Sequence, residues 1–210
     1  MKNIKYIFFD VGYTLINEDD VWSHRCREQA QTDEAKALSL TAENIYNEIV
    51  AASLAHKSQY RTVVQKYNLT QIAPYRHDLE KVYPEAKSVL EQLSKKYRLG
   101  IIANQADGLV ARLEKEGIAH YFTTIVSSFD CQASKPDLKI FEASLQKANC
   151  APSEAVMIGD RLDNDISPAK SIGMKTVWIK QGFGGMQIVT EDRFEPDAQV
   201  SNLTELLNIL

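Results

Sequence analysis

The chain has 210 residues, of which 44% are hydrophobic, 25% charged and 9% aromatic, the balance of an ordinary globular protein and not of a disordered, collagenous or disulfide-stapled one. Its formal charge is -4 and no Lys/Arg cluster builds a one-sided basic face, so nucleic acid is not expected as a partner. No run approaches the roughly twenty apolar residues that span a bilayer, the N-terminal apolar run lacks a cleavage site, and the scattered Cys26, Cys131 and Cys150 read as buried soft hydrophobes; a cytoplasmic protein without a membrane partner is expected.

Residues 4–9 form a nearly continuous apolar run, which predicts a central parallel strand covered on both faces. Asp10 ends it, followed by Val11-Gly12-Tyr13-Thr14-Leu15. Read alone, an Asp before a glycine-containing stretch is a turn former. Residues 18–82 contain no glycine and no strand-like run, but carry amphipathic stretches such as Ile45, Ile49, Ala52 and Tyr60, Val63, Val64, Tyr67. They predict an all-helical insertion. His24, His56 and His77 fall in it without metal spacing, and each reads first as a solvated helix position. Trp22 and Tyr13, near the start of the insertion, read as packing residues or pocket lining.

Pro84 opens a predicted helix with Ala86, Val89, Leu90 and Leu93 on one stripe, and a strand follows over 99–103, ending in Asn104-Gln105. Asp107 is expected to cap a helix carrying Leu109, Val110 and Leu113 that stops at Gly117. After a strand over 124–127 comes Ser134-Lys135-Pro136, then a helix with Leu138, Phe141, Leu145 and Ala148 facing the sheet. A lysine at a helix start opposes the macrodipole and so hints at an anionic partner, although a lone lysine is usually a surface charge. The strand over 155–158 delivers Gly159-Asp160-Arg161-Leu162-Asp163-Asn164-Asp165. Three acids so close repel one another unless something positive sits among them, and hard cations prefer such oxygens. A helix stopping at Gly173, a strand over 176–179, a flexible Gly182-Phe183-Gly184-Gly185 loop and a terminal helix over 203–210 complete the chain. The alternation predicts an α/β fold, a Rossmann-like open parallel sheet over 1–17 and 83–210. The helical segment 18–82 follows the first strand, so it emerges at the end of the sheet where ligands bind and is placed to act as a lid.

Asp10 with its following loop, Asn104, Lys135-Pro136, and Gly159-Asp160 with Asp165 five positions on occur in this order, each after a strand. This set resembles the haloacid dehalogenase superfamily, in particular its members with a helical cap inserted after the first strand. The resemblance implies a magnesium-dependent hydrolase of small phosphorylated metabolites that works through an aspartyl-phosphate intermediate. Asp10 is then the nucleophile, and Mg²⁺ is held by Asp10, the Gly12 carbonyl, Asp160 and Asp165. Lys135 neutralises phosphoryl oxygens and keeps Asp10 ionised. Thr14 fixes the loop through its hydroxyl, and Thr14, Asn104 and Lys135 are the implied phosphate-binding residues.

Two positions depart from the family pattern. Gly12 stands where the family's phosphatases carry a second Asp that protonates the leaving alcohol, and Ala103 stands where a Ser or Thr donates to the phosphoryl group. General acid-base catalysis is worth about 10²–10⁴-fold and an oxyanion donor about 10²–10³-fold, so the expected turnover is modest. A metal-independent 2-haloacid dehalogenase and a catalytically silent phosphate-binding or interaction module are the alternatives.

Overall fold

The computed structural model describes residues 1 and 3–210. Six parallel strands form the main sheet: β1 (Tyr6–Phe9), β4 (Arg98–Ala103), β5 (Phe122–Ser127), β6 (Ala155–Gly159), β7 (Lys175–Ile179) and β8 (Ala198–Val200). Their spatial order is β5-β4-β1-β6-β7-β8. β1 is central, with neighbours reached in opposite directions, so the crevice at its carboxyl end is the place where such sheets bind ligands.

The near-continuous apolar runs are explained by burial on both faces. Ile7 and Phe9 of β1 join Leu99, Ile101, Val156 and Ile158 in one core, while Tyr6 and Phe8 point to the other side with Ile102 and Met157. The first core is closed by α5 (Ala86–Ser94) and α6 (Leu109–Lys115), together with Leu203 and Leu206. The second is closed by α8 (Leu138–Ala148) and α9 (Ser167–Ser171). A short helix α7 (Ser128–Cys131) follows β5, and α10 (Leu206–Ile209) ends the chain behind a 3-10 turn. The periodicity places Ile140, Phe141, Leu145 and Ala148 of α8 inward.

Between β1 and β4 the chain builds α1 (Asp19–Gln31), α2 (Asp33–Ala37), α3 (Ala42–Leu54) and α4 (Gln59–Tyr67). Their apolar stripes meet in a third core of Trp22, Cys26, Ile45, Ile49, Tyr60 and Val63, which also takes in Tyr13 and Phe183. The segment leaves and returns through β2 (Ile16–Asn17) and β3 (Lys81–Val82), an antiparallel pair in which Ile16 faces Val82 and Asn17 faces Lys81. None of the described helices is long and apolar enough to cross a membrane.

Several local readings need correction. Gly108, in the left-handed region, is the N-cap of α6, and Asp107 instead accepts the Gly108 N–H at 2.7 Å. Val110 and Leu138 are exposed, because each lies off the stripe of its helix. Cys131 and Cys150 are only half-buried. The 182–185 loop is packed, not loose. Phe183 is buried and its carbonyl accepts the Ser53 hydroxyl at 2.9 Å. A Cβ on Gly182 would overlap the Tyr13 ring, and one on Gly184 would stand 2.8 Å from the Asp160 carbonyl carbon. Those glycines permit close approach.

Gly100 plays the same part inside β4, where a Cβ would lie 2.8 Å from the Phe8 ring and 3.0 Å from the Thr124 carbonyl oxygen. Gly100→Ala is expected to cost about 1–3 kcal/mol through overpacking, read as a drop in Tm of about 2–4 °C per kcal/mol for a chain of this size. An unchanged Tm would show that the Phe8 ring relaxes freely.

Candidate active site

The loop after β1 is made by backbone alone. The Val11 carbonyl accepts N–H groups from Thr14 (3.2 Å), Leu15 (2.9 Å) and Ile16 (3.0 Å), and Tyr13 N–H returns to the Ile16 carbonyl at 2.7 Å. Tyr13 has φ 50°, a left-handed conformation costly for a bulky residue. Its ring compensates by packing edge-on to Phe183, with centroids 5.6 Å apart. The Thr14 hydroxyl is fully buried without a hydrogen-bond partner and does not line the cavity.

The turn presents Asp10 at the mouth of the sheet. Lys135, carried by the segment ahead of α8, is buried and reaches across. Its ammonium donates to Asp10 Oδ1 and to Asp165 Oδ1, both at 2.6 Å. Asp165 Oδ2 accepts the Arg161 N–H at 3.0 Å, and Asp165 sits so close to Gly159 that no Cβ fits there. Asp160 completes the group: carboxylate oxygens of Asp10, Asp160 and Asp165 lie within 4.8 Å of one another. Trp178 Nε1–H donates to the Asp160 carbonyl at 2.6 Å and fixes that backbone.

Of the three neighbouring acids in the β6 loop, Asp163 is not in the cluster. Arg161 takes it in a two-pronged ion pair, Nε to Oδ1 at 3.0 Å and Nη2 to Oδ2 at 2.5 Å. The third carboxylate comes instead from Asp10, distant in sequence. Asn104 clamps Lys135: its Oδ1 accepts the Lys135 N–H at 2.7 Å and its Nδ2 donates to the Lys135 carbonyl at 2.9 Å. Ala103 is wholly buried at the end of β4, so no hydroxyl is offered there.

Electrostatics follow from burial and charge count. Burial raises Asp160 well above the usual carboxylate range, and Asp165 and Asp10 add to the shift. Asp165 is raised to about 6, again by burial first, with Asp10 adding and Lys135 opposing. Burial by itself would lower the Lys135 ammonium, but Asp10 and Asp165 outweigh it and hold it above its ordinary value. Three carboxylates thus share one ammonium. Oxygen donors at this spacing with surplus negative charge fit a hard divalent cation.

A cavity of about 140 Å³ opens over these groups and is lined by Asp10, Gly12, Lys135, Asp160 and Asp165 together with Tyr13, Glu18 and Trp22. It communicates through Asn104, Gln105 and Lys135 with an outer cleft of about 1130 Å³, walled by Lys57, Arg61, Phe129 and Arg193. The helical segment is tied down over the cavity. Arg161 Nη2 donates to the Lys57 carbonyl and Gln187 Nε2 to the Ser53 carbonyl, both at 3.0 Å. Of the histidines, His56 borders the outer cleft, stacked on Phe194. His24 and His77 face Glu28 and Glu80, and no histidine lines the inner cavity.

Sequence reasoning missed Glu18 and Gln187. Glu18 lies in an acidic run, Glu18-Asp19-Asp20, that looks like a solvated helix start. It is buried, its Oε2 accepts Trp22 Nε1–H at 2.9 Å, and burial, with Asp10 and Glu80 adding, pushes it up to about 7. The available signal was Gly12, a missing side chain in a site that needs one.

Comparison with known proteins adds four findings. The family model described as haloacid dehalogenase-like hydrolase matches residues 7–179. The chain is 29% identical to a glyceraldehyde 3-phosphate phosphatase of Pyrococcus furiosus over 100% of its own length and 94% of the relative's. It is 26% identical to pyrophosphatase PpaX of Bacillus velezensis, over 99% and 97%. Among solved structures, a phosphatase from Thermococcus onnurineus superposes with TM-score 0.71 at 25% identity, covering 98% of this chain and 97% of that one.

Removing the ammonium leaves buried carboxylates uncompensated. Lys135→Met is expected to cost about 3–5 kcal/mol in metal-free buffer, measured by chemical denaturation. The Lys135→Met/Asp165→Asn double variant should lose less than the sum of its singles, because the two residues are in contact.

Proposed function

Because the chain belongs to the haloacid dehalogenase-like hydrolases, we propose that it hydrolyses phosphate esters of small molecules through a covalent phosphate on Asp10. A magnesium ion would be held by the carboxylates of Asp10, Asp160 and Asp165 and by the Gly12 carbonyl. The observation that carries this reading is the buried cluster of three carboxylates around one ammonium. When bound, the cation supplies charge neutralisation for the phosphoryl oxygens and removes the repulsion that otherwise bars an anion from the site.

The chain's own residues do the rest. Asp10 attacks phosphorus. Lys135 holds the Asp10 carboxylate through Oδ1 and offers its remaining donor capacity to the phosphoryl oxygens, while Asn104 holds the Lys135 backbone so that the ammonium is delivered at a fixed depth. Backbone N–H groups after β4 take the part that a hydroxyl at position 103 would play. Phosphoryl transfer needs positioning and charge stabilisation more than covalent assistance, and these groups provide both. The segment 18–82 acts as the cap over the core of 1–17 and 83–210, and excludes water from the cavity. Relatives named for glyceraldehyde 3-phosphate and for pyrophosphate support small phosphorylated compounds as the substrate class.

The protein is expected to release phosphate from p-nitrophenyl phosphate with Mg²⁺, to fall to background in chelator, and to be inactive as Asp10→Asn. Turnover of a 2-haloacid in chelator would overturn the reading. Asp160→Asn separates charge from structure. In chelator it should raise Tm by about 2–4 °C, which is about 1 kcal/mol for a chain of this size, because it removes a buried repulsion. The Tm increase that Mg²⁺ gives the parent protein should vanish in the variant.

A further inference from the structure

The site as described lacks a group to protonate the departing oxygen, because position 12 has no side chain. The structure fills that vacancy from elsewhere. The two-residue ladder of β2 and β3 turns the chain so that Glu18 comes back against the loop after β1. A Cβ built on Gly12 would overlap Glu18 Oε1 and stand 2.9 Å from Glu18 Cδ and 3.2 Å from Oε2. The Glu18 carboxyl thus occupies the volume into which a side chain at position 12 would project. It lines the same small cavity as Asp10 and Lys135.

Its orientation is also set. Trp22 Nε1–H donates to Oε2 at 2.9 Å, so Oε2 must act as acceptor and any proton on the carboxyl sits on Oε1. Oε1 is the atom of the carboxyl nearest the space above Gly12, and the Tyr75 hydroxyl also faces the carboxyl. Asp10 and Glu80 are the acidic neighbours of the carboxyl, and Tyr75 and Trp22 enclose it.

We propose that Glu18 is the general acid-base residue of this site, taking through space the place that Gly12 leaves empty. The inference rests on the hydrolase reading above. In the first step Asp10 forms a bond to phosphorus and the phosphorus–oxygen bond to the alcohol breaks. Its electron pair stays on the alcohol oxygen, which takes the proton from Glu18 Oε1. In the second step the Glu18 carboxylate removes a proton from water, the water oxygen bonds to phosphorus, and the bond to Asp10 breaks with its pair returning to the carboxylate. Inorganic phosphate leaves and Glu18 is protonated again. The Gly12 and Glu18 positions are consequently exclusive, and Gly12→Asp by itself cannot simply add an acid without displacing Glu18.

The test uses the isosteric Glu18→Gln protein with two esters of different leaving group, p-nitrophenyl phosphate and phenyl phosphate, in Mg²⁺. General acid catalysis is typically worth about 10²–10⁴-fold, so kcat/KM for phenyl phosphate should fall by that factor, and for p-nitrophenyl phosphate by at least about tenfold less. With p-nitrophenyl phosphate the variant should also show a burst of nitrophenolate and accumulate a phosphoryl adduct on Asp10, detected by mass, because hydrolysis of the aspartyl phosphate has lost its base. Gly12→Asp/Glu18→Ala should recover phenyl phosphate turnover relative to Glu18→Ala. Equal losses on the two esters, no adduct and no recovery in the double variant would overturn the assignment while leaving the hydrolase reading standing. If the parent protein released phosphate from neither ester, both would fall. A Tm of Glu18→Gln matching the parent's excludes misfolding as the cause of a loss.

Discussion

The ammonium of Lys135 is the interaction on which this molecule turns. It bonds two of the three carboxylates Asp10, Asp160 and Asp165 directly, from a position with 2% side-chain exposure, while the Arg161 guanidinium, paired with Asp163, helps Asp160 only through space. Burying that many carboxylates is costly, and a single counter-charge cannot offset all of it. The surplus shows in the raised Asp160 and Asp165, which share their burial with an unneutralised partner. A site of this kind is built to be completed from outside. In the proposed reaction a cation would offset this surplus and so let an anion enter.

The architecture concentrates all of these charges at one edge. Asp10, Asn104 and Asp160 follow β1, β4 and β6, three strands adjacent in the sheet, so their side chains converge although they lie far apart in sequence. The rest of the sheet is apolar on both faces. That asymmetry made much of the fold legible. Continuous short runs such as residues 155–158 fit strands covered twice, and the stripe of Ala86, Val89, Leu90 and Leu93 fits one helix face. The order of Asp10, Asn104, Lys135 and Asp160 was readable for the same reason, since Asp10, Asn104 and Asp160 follow recognisable strands and Lys135 precedes a recognisable helix.

What was hidden is short-range geometry without periodic signal. β2 and β3 have two residues each and β8 three, too few for any pattern. The partition of the acids could not be read either. Asp163 and Asp165 are two residues apart, yet one pairs with Arg161 and the other with Lys135, because the π-helical turn over Leu162–Ile166 points them in different directions. The glycines at 182, 184 and 185 looked like freedom and proved to be clearance, since Tyr13, Asp160 and the Lys180 backbone press against them in turn. Glu18 was hidden by its company, as two exposed aspartates beside it disguise a buried carboxyl.

The chain contains just two tryptophans, and both indole N–H groups are spent on the site: Trp22 on the Glu18 carboxyl and Trp178 on the Asp160 backbone. Indole emission is sensitive to the charge and polarity around the ring. Tryptophan emission from this protein therefore originates beside Glu18 and Asp160, which gives it a built-in optical probe of changes in the carboxylate cluster that needs no label.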